Sequence, residues 1–101
     1  MIGISYSRNA VPVRLTEERW SHIIEEHGEL AALQHEVLQA VAEPDRVLAG
    51  GDGELLAVRT LLPGKWLIVV YREITKEDGF IITAFLTRRS RPLDRRLQKW
   101  P

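Results

Sequence analysis

The chain has 101 residues, 45% of them hydrophobic, with 14 basic and 14 acidic side chains, zero formal net charge and no cysteine. That length and apolar content fit one domain with its own core and exclude a disordered chain. The missing cysteines exclude a disulfide scaffold, a thiolate zinc site and a cysteine nucleophile. No apolar run reaches the roughly 18 residues that span a bilayer, and MIGISYSRNAVPVR lacks the apolar stretch of a signal peptide. A cytoplasmic protein without membrane contact is the expectation.

Residues 1–12 read as irregular and close at Pro12, with residues 11–15 able to pair at a sheet edge. Thr16 is placed to cap a helix, and Glu17 and Glu18 suit the positive end of its dipole. Arg19 stands where the glutamate of a full capping box would be. Trp20, Ile23, Ile24 and His27 follow the i, i+3, i+4, i+7 spacing of an amphipathic helix, which Gly28 should end. A second helix is predicted from about Leu30 to Ala42, with Leu30, Leu33, Val37, Leu38 and Val41 as its apolar stripe and Pro44 as its stop.

From residue 46 the period becomes that of strands. Val47 and Leu48 precede Gly50-Gly51-Asp52-Gly53, a hairpin signal. Strands are predicted over Glu54–Leu62, Lys65–Glu73 and Phe80–Thr87, joined by a Pro63-Gly64 turn and a polar turn over Thr75–Gly79. The run Trp66-Leu67-Ile68-Val69-Val70-Tyr71 is apolar on both faces and marks the central strand. The predicted fold is α+β, with two N-terminal helices packed on a four-stranded antiparallel meander. The whole chain forms one domain, with a core over residues 13–89 and a basic tail from residue 90.

Charge is distributed unevenly. Residues 88–101 carry Arg88, Arg89, Arg91, Arg95, Arg96 and Lys99 against Asp94, a net of +5, so the rest of the chain carries −5. Such a segment is either a solvated tail or an electrostatic arm for phosphate or an acidic partner.

His22 and His27 lie five residues apart on one helix, about 140° round its axis, so they cannot chelate one metal as an i, i+4 pair would. His35 lies off the apolar stripe and reads as a surface residue. His27 continues the stripe, so it faces the sheet from the helix C-terminus. It is either a half-buried capping histidine or an acid–base group. His22 lies between Glu18 and Glu26 and reads as a surface histidine in an acidic face. Arg59 shares a strand face with Leu55, Ala57 and Leu61, an apolar row in which a guanidinium needs a partner or an anionic ligand. By alternation, Leu67, Val69, Tyr71 and Glu73 share one face, and Ile81, Thr83, Phe85 and Thr87 share one face. One strand register would bring Tyr71, Thr83 and Arg59 together. Histidine, arginine and hydroxyl side chains suit RNA cleavage by the 2′-hydroxyl, which needs proton transfer and stabilisation of a phosphorane.

The order V-R-L-T-E-E-R-W-S-H-I-I-E-E-H-G-E-L, A-E-P-D-R-V, G-E-L-L-A-V-R, W-L-I-V-V-Y-R-E and D-G-F-I-I-T-A-F-L-T resembles the small phage- and bacteria-borne nucleases of the barnase–EndoU–RelE-like superfamily. The likeness covers roughly residues 13–89, and the W-x-H-I-x-x-x-H helix with a late I-T-x-F strand is its most telling part. The resemblance implies a metal-free, cofactor-free endoribonuclease, the toxin of a toxin–antitoxin pair, with RNA as substrate and an antitoxin protein as partner. Carried over residue by residue, it marks His22, His27, Arg59 and Thr83 as catalytic, with Tyr71 a weaker match. Arg88, Arg89 and Arg91 would hold RNA. The zero net charge and acidic helical pair depart from the strongly basic toxins of that group. The alternative is a non-catalytic module of the same fold that docks a partner through its sheet face or basic tail.

Overall fold

A computed structural model describes all residues, Met1–Pro101. In chain order the elements are strand β1 (Gly3–Tyr6), β2 (Pro12–Leu15), helix α1 (Glu17–Glu26), a 3₁₀ turn (Gly28–Leu30), α2 (Gln34–Ala42), β3 (Arg46–Ala49), β4 (Leu55–Leu62), β5 (Lys65–Thr75), β6 (Asp78–Thr87), α3 (Arg91–Asp94) and β7 (Gln98–Trp100). No helix is long and apolar enough to cross a membrane.

The predicted four-stranded antiparallel meander is overturned: the sheet has seven strands in the order β1-β2-β6-β5-β4-β3-β7. It is mixed, because β2 runs parallel to β6 through Val13–Gly79 and Arg14–Phe80. The helices are also not N-terminal. Two strands precede them, in the stretch that reads as irregular, and these form an antiparallel hairpin registering Gly3 on Leu15 and Tyr6 on Pro12. The alternation is hidden there because β1 is an edge strand with Ile4 and Tyr6 exposed and two serines, Ser5 and Ser7, turned inward. Ser5 Oγ donates to the Leu38 carbonyl at 2.7 Å, so a serine ties this hairpin to α2.

Helix α1 starts where its sequence says it should. Thr16 Oγ accepts from the Arg19 backbone N–H at 3.1 Å, while Trp20 and Ile23 are buried. It ends at Gly28 as expected. His27 is the C-cap, with its N–H on the Ile23 carbonyl at 2.7 Å, and Gly28 opens the 3₁₀ turn. That turn uses Leu30 to seal the core, so α2 begins only at Gln34.

The sheet is packed on both sides. On one, Trp20, Ile23, Leu30, Val37 and Val41 cover Val13, Leu15, Ala57, Leu67, Val69, Tyr71, Ile81 and Ala84. On the other, Leu48, Leu56, Val58 and Ile68 form a smaller cluster closed by Leu93 of α3, with Trp66, Val70 and Phe85 half-buried at its rim. Residues 88–101 are therefore folded structure. They supply α3 as a cover and β7 as a strand on β3.

Two glycines permit close passages. Gly64 takes φ 79° in the Pro63-Gly64 turn. At Gly79 a Cβ would stand 2.7 Å from the Arg72 carbonyl oxygen, so only glycine lets β6 pass between β5 and β2.

Replacing Leu93 by alanine opens a cavity over Leu48, Leu56, Val58 and Ile68. We expect a loss of about 2–4 kcal/mol in chemical denaturation. A loss below about 0.5 kcal/mol would mean that α3 does not stabilise the fold.

Candidate functional site

The pairing of β5 with β6 decides where the sequence-marked residues go. Val69 pairs with Ala84 and Val70 with Thr83, but Tyr71 pairs with Ile81, so Ile82 is an extra residue in a bulge. The bulge puts Ile81 on the helix-covered face and Thr83, Phe85 and Thr87 on the opposite one, against simple alternation. The register that would gather Tyr71, Thr83 and Arg59 does not occur.

Tyr71 and Arg59 both lie on the helix-covered side, in structural roles. Tyr71 is buried in the core, and burial, with a smaller contribution from the Glu73 carboxylate, pushes its phenol well above its ordinary value of 10.0. Enclosed in the core, it stays neutral. Arg59 donates from Nη1 to the carbonyl of Glu43, the C-cap of α2. The cation offsets the negative end of that helix dipole and satisfies a terminal carbonyl. Beside it, Asp45 accepts from the Thr60 N–H at 2.6 Å and donates its own N–H to the Val58 carbonyl at 2.7 Å, lacing the helix exit onto β4. This is the partner that an arginine among leucines requires.

His27 is half-buried at the other side of the molecule. β2 stays with β6 for only two residue pairs, and α1 packs along β6 beyond them. This brings the His27 ring to Phe85, with centroids 6.2 Å apart and planes at 38°. Its Nδ1 lies 3.8 Å from Glu29 Oε1. His27, on the helical layer, thus meets Phe85 at the border of the sheet face opposite the helices, the face that holds Thr83, Phe85 and Thr87. His22 stands exposed on α1 without a hydrogen bond or ion pair, and His35 is exposed on α2.

That face combines half-buried rings, hydroxyls and, at its border, arginines. Trp66 and Phe85 are half-buried, so each keeps ring area for stacking. Along the paired strands Trp66 stands opposite Thr87, Phe85 opposite Ile68, and the Val70–Thr83 pair lies beyond Phe85. Arg88, Arg89 and Arg91 are exposed where the chain leaves β6 and enters α3, and the Arg89 N–H donates to Thr87 Oγ at 3.1 Å. Arg46 pairs with Asp94 at 2.9 Å, which anchors α3 to β3.

The helical layer carries the opposite charge. Residues 16–45 hold eight carboxylates against Arg19, a net of −7. Zero net charge thus conceals an acidic helical layer and a basic C-terminal segment.

A concavity lies on the helix-covered side, at the end of the sheet that the helices leave open. It is a cleft of about 410 Å³ lined by Arg8, Asn9, Val47, Gly53, Leu55, Glu73, Lys99 and Trp100. Sequence reasoning missed it, because its residues come from five separate segments. The one local sign was Glu73, a carboxylate continuing the apolar row Leu67-Val69-Tyr71. No protein-family model, curated protein or solved structure compared with the chain matches it.

Two outcomes follow for the residues on the helix side. Arg59→Ala should cost about 1 kcal/mol in denaturation, since its work is to cap α2. Tyr71 binds its proton more tightly folded than unfolded, so its contribution is intact below the ordinary phenol value and is lost as pH rises past 10.0. Tyr71→Phe should show a shallower loss of stability than wild type in denaturation series taken above that pH.

Proposed function

We propose that the protein is a metal-independent endoribonuclease that binds RNA on the sheet face opposite its helices, with His27 as the acid–base group. The observation that carries the reading is the meeting of His27 with Phe85 at the edge of the surface that also holds Thr83, Trp66 and the exposed Arg88 and Arg89. Stacking on Trp66 and Phe85 would hold bases without reading sequence. The arginines would take phosphates, and their guanidinium forks suit paired oxygens.

The chemistry asked of the face is limited. The 2′-hydroxyl loses a proton as its oxygen attacks the adjacent phosphorus, and the 5′-oxygen gains one as the P–O bond breaks, leaving a cyclic phosphate. An imidazole titrates in the range where either transfer is efficient. Thr83 can donate its hydroxyl hydrogen to a non-bridging oxygen as charge gathers there. Arg59 and Tyr71 take no part, and His22 has no place on this face. The resemblance to toxin nucleases supports a further element of the reading, an antitoxin that silences the protein by covering the same surface.

One observation favours a non-catalytic version. With Tyr71 and Arg59 assigned elsewhere, His27 is the single imidazole on the face, so binding could stand without cleavage.

The test is cleavage of a single-stranded RNA by purified protein, with growth arrest on expression as its cellular counterpart. His27→Ala should lower the cleavage rate by about 10²–10⁴-fold and relieve the arrest, with RNA still bound. Replacing Arg88 and Arg89 by alanine should instead weaken binding and flatten its log–log salt dependence by about 0.7 for each phosphate no longer neutralised. Wild-type protein that binds RNA without cutting it is the binding module. Equal cleavage by wild type and His27→Ala removes His27 from the mechanism.

A further inference from the structure

The basic C-terminal segment does not stay on one face of the sheet. Leu93 packs on the cluster opposite the helices, whereas Trp100, seven residues later, packs against the helix-side core. Between them the chain rounds the edge of the sheet as β7, the strand outside β3. Arg91, Arg95, Arg96 and Lys99 are exposed along this path, so cations run from the sheet face round the edge to the cleft. Arg96 is fixed on the way by a 3.2 Å hydrogen bond to the Ala49 carbonyl.

The cleft at the end of that path is a built one. Glu73 Oε2 accepts from Ser7 Oγ at 2.5 Å and Glu73 Oε1 from Asn9 Nδ2 at 3.0 Å, while Ser7 Oγ accepts from the Val11 N–H at 3.2 Å. These bonds hold the β1–β2 loop over the sheet, and Ala10 in that loop is held at φ 63°, a conformation that L residues rarely adopt. From the same loop Arg8 lies over the Trp100 indole, 4.5 Å from the ring centroid. The indole fixes the guanidinium plane and leaves its N–H edges free. Neither Arg8 nor Lys99 has a carboxylate partner. Val47, Leu55 and Trp100 supply apolar surface beneath them.

We propose that this cleft receives a nucleotide of the RNA strand that continues past the sheet face and round the β7 edge. Its phosphate lies on Arg8 and Lys99. Its base sits on Val47 and Leu55, with an amino or imino N–H donated to Glu73. The carboxylate can accept that bond, since it has about four lone-pair positions. The volume is within the roughly 300–1,000 Å³ of small-molecule sites. The inference rests on the RNA-binding reading and adds a second anchoring point on the far side of the sheet.

Binding to uncleavable 2′-O-methyl oligoribonucleotides separates the two, with a tetramer that reaches only the face and a dodecamer that can also round the edge. Wild type should bind the dodecamer more tightly. The Arg8→Ala, Lys99→Ala double variant changes two exposed side chains, so folding should be kept. It should lose at least tenfold in dodecamer affinity and lower the log–log salt slope by about 1.4, or 0.7 for each of the two cations removed. Its tetramer affinity should match wild type. If the variant binds the dodecamer as wild type does, or loses both lengths equally, the cleft assignment is wrong and the RNA-binding face still stands. If wild type binds neither oligonucleotide, the functional reading fails, and the cleft assignment fails with it.

Discussion

Strand β5 is apolar on both sides, and water has to be kept from both. Leu67, Val69 and Tyr71 face the helices, and Ile68 faces the other way. Burying large aliphatic side chains is the main favourable contribution to folding, at roughly 25 cal/mol per Å² of apolar surface. A chain of this length cannot leave one side of its central strand open. The helices between β2 and β3 cover one side. The other is covered by α3, a single turn that brings one leucine, Leu93, to the middle of the second cluster. The whole arrangement follows from that double requirement, including the return of the C-terminus to the sheet.

The second cover is small, and its size has a functional side. Leu93 shields β3, β4 and the middle of β5, while Trp66, Val70 and Phe85 remain at the rim. A larger cover would have sealed the rings away. A smaller one would have exposed Leu48 and Ile68 to water. The same short segment that supplies the leucine carries the arginines, so apolar cover and positive charge arrive together at the border of the half-buried rings. The acidic helical layer lies on the far side of the sheet.

The bulge at Ile82 has a comparable influence. Without it, Thr83 and Phe85 would point into the helix-side core with Ile81. With it, the core keeps Ile81 and Ala84, and the hydroxyl and the ring emerge on the other side. One extra residue in one strand thereby separates the packing of β6 from its surface chemistry. It also separates Thr83 from Tyr71 and Arg59, whose work is to fill the core and to cap α2.

Much of the local structure was readable from residue order, because its causes are local. Thr16 capping α1, the stripe Trp20-Ile23, the stop at Pro44, the Pro63-Gly64 turn and the two-sided apolar run of β5 each depend on near neighbours. So does the half-buried position of His27. What residue order did not contain was pairing between distant segments. The β1–β2 hairpin escaped notice because its inward residues are serines satisfied by Leu38 and Glu73, thirty-three and sixty-six positions away. The parallel contact of β2 with β6, and the seven-stranded sheet it completes, arise from tertiary packing alone. The same holds for the Ile82 bulge, since register is set by partners on both faces and an added residue inverts every side chain beyond it. Arg59 was correctly seen to need a partner, but a backbone carbonyl at the end of a helix has no signature of its own. By itself the sequence determined two helices, the strands that follow them and a basic C-terminal segment. Only the tertiary structure decided that this segment is part of the sheet, that His27 meets Phe85 beside the face that holds Thr83, and that Arg59 and Tyr71 lie on the helix-covered side.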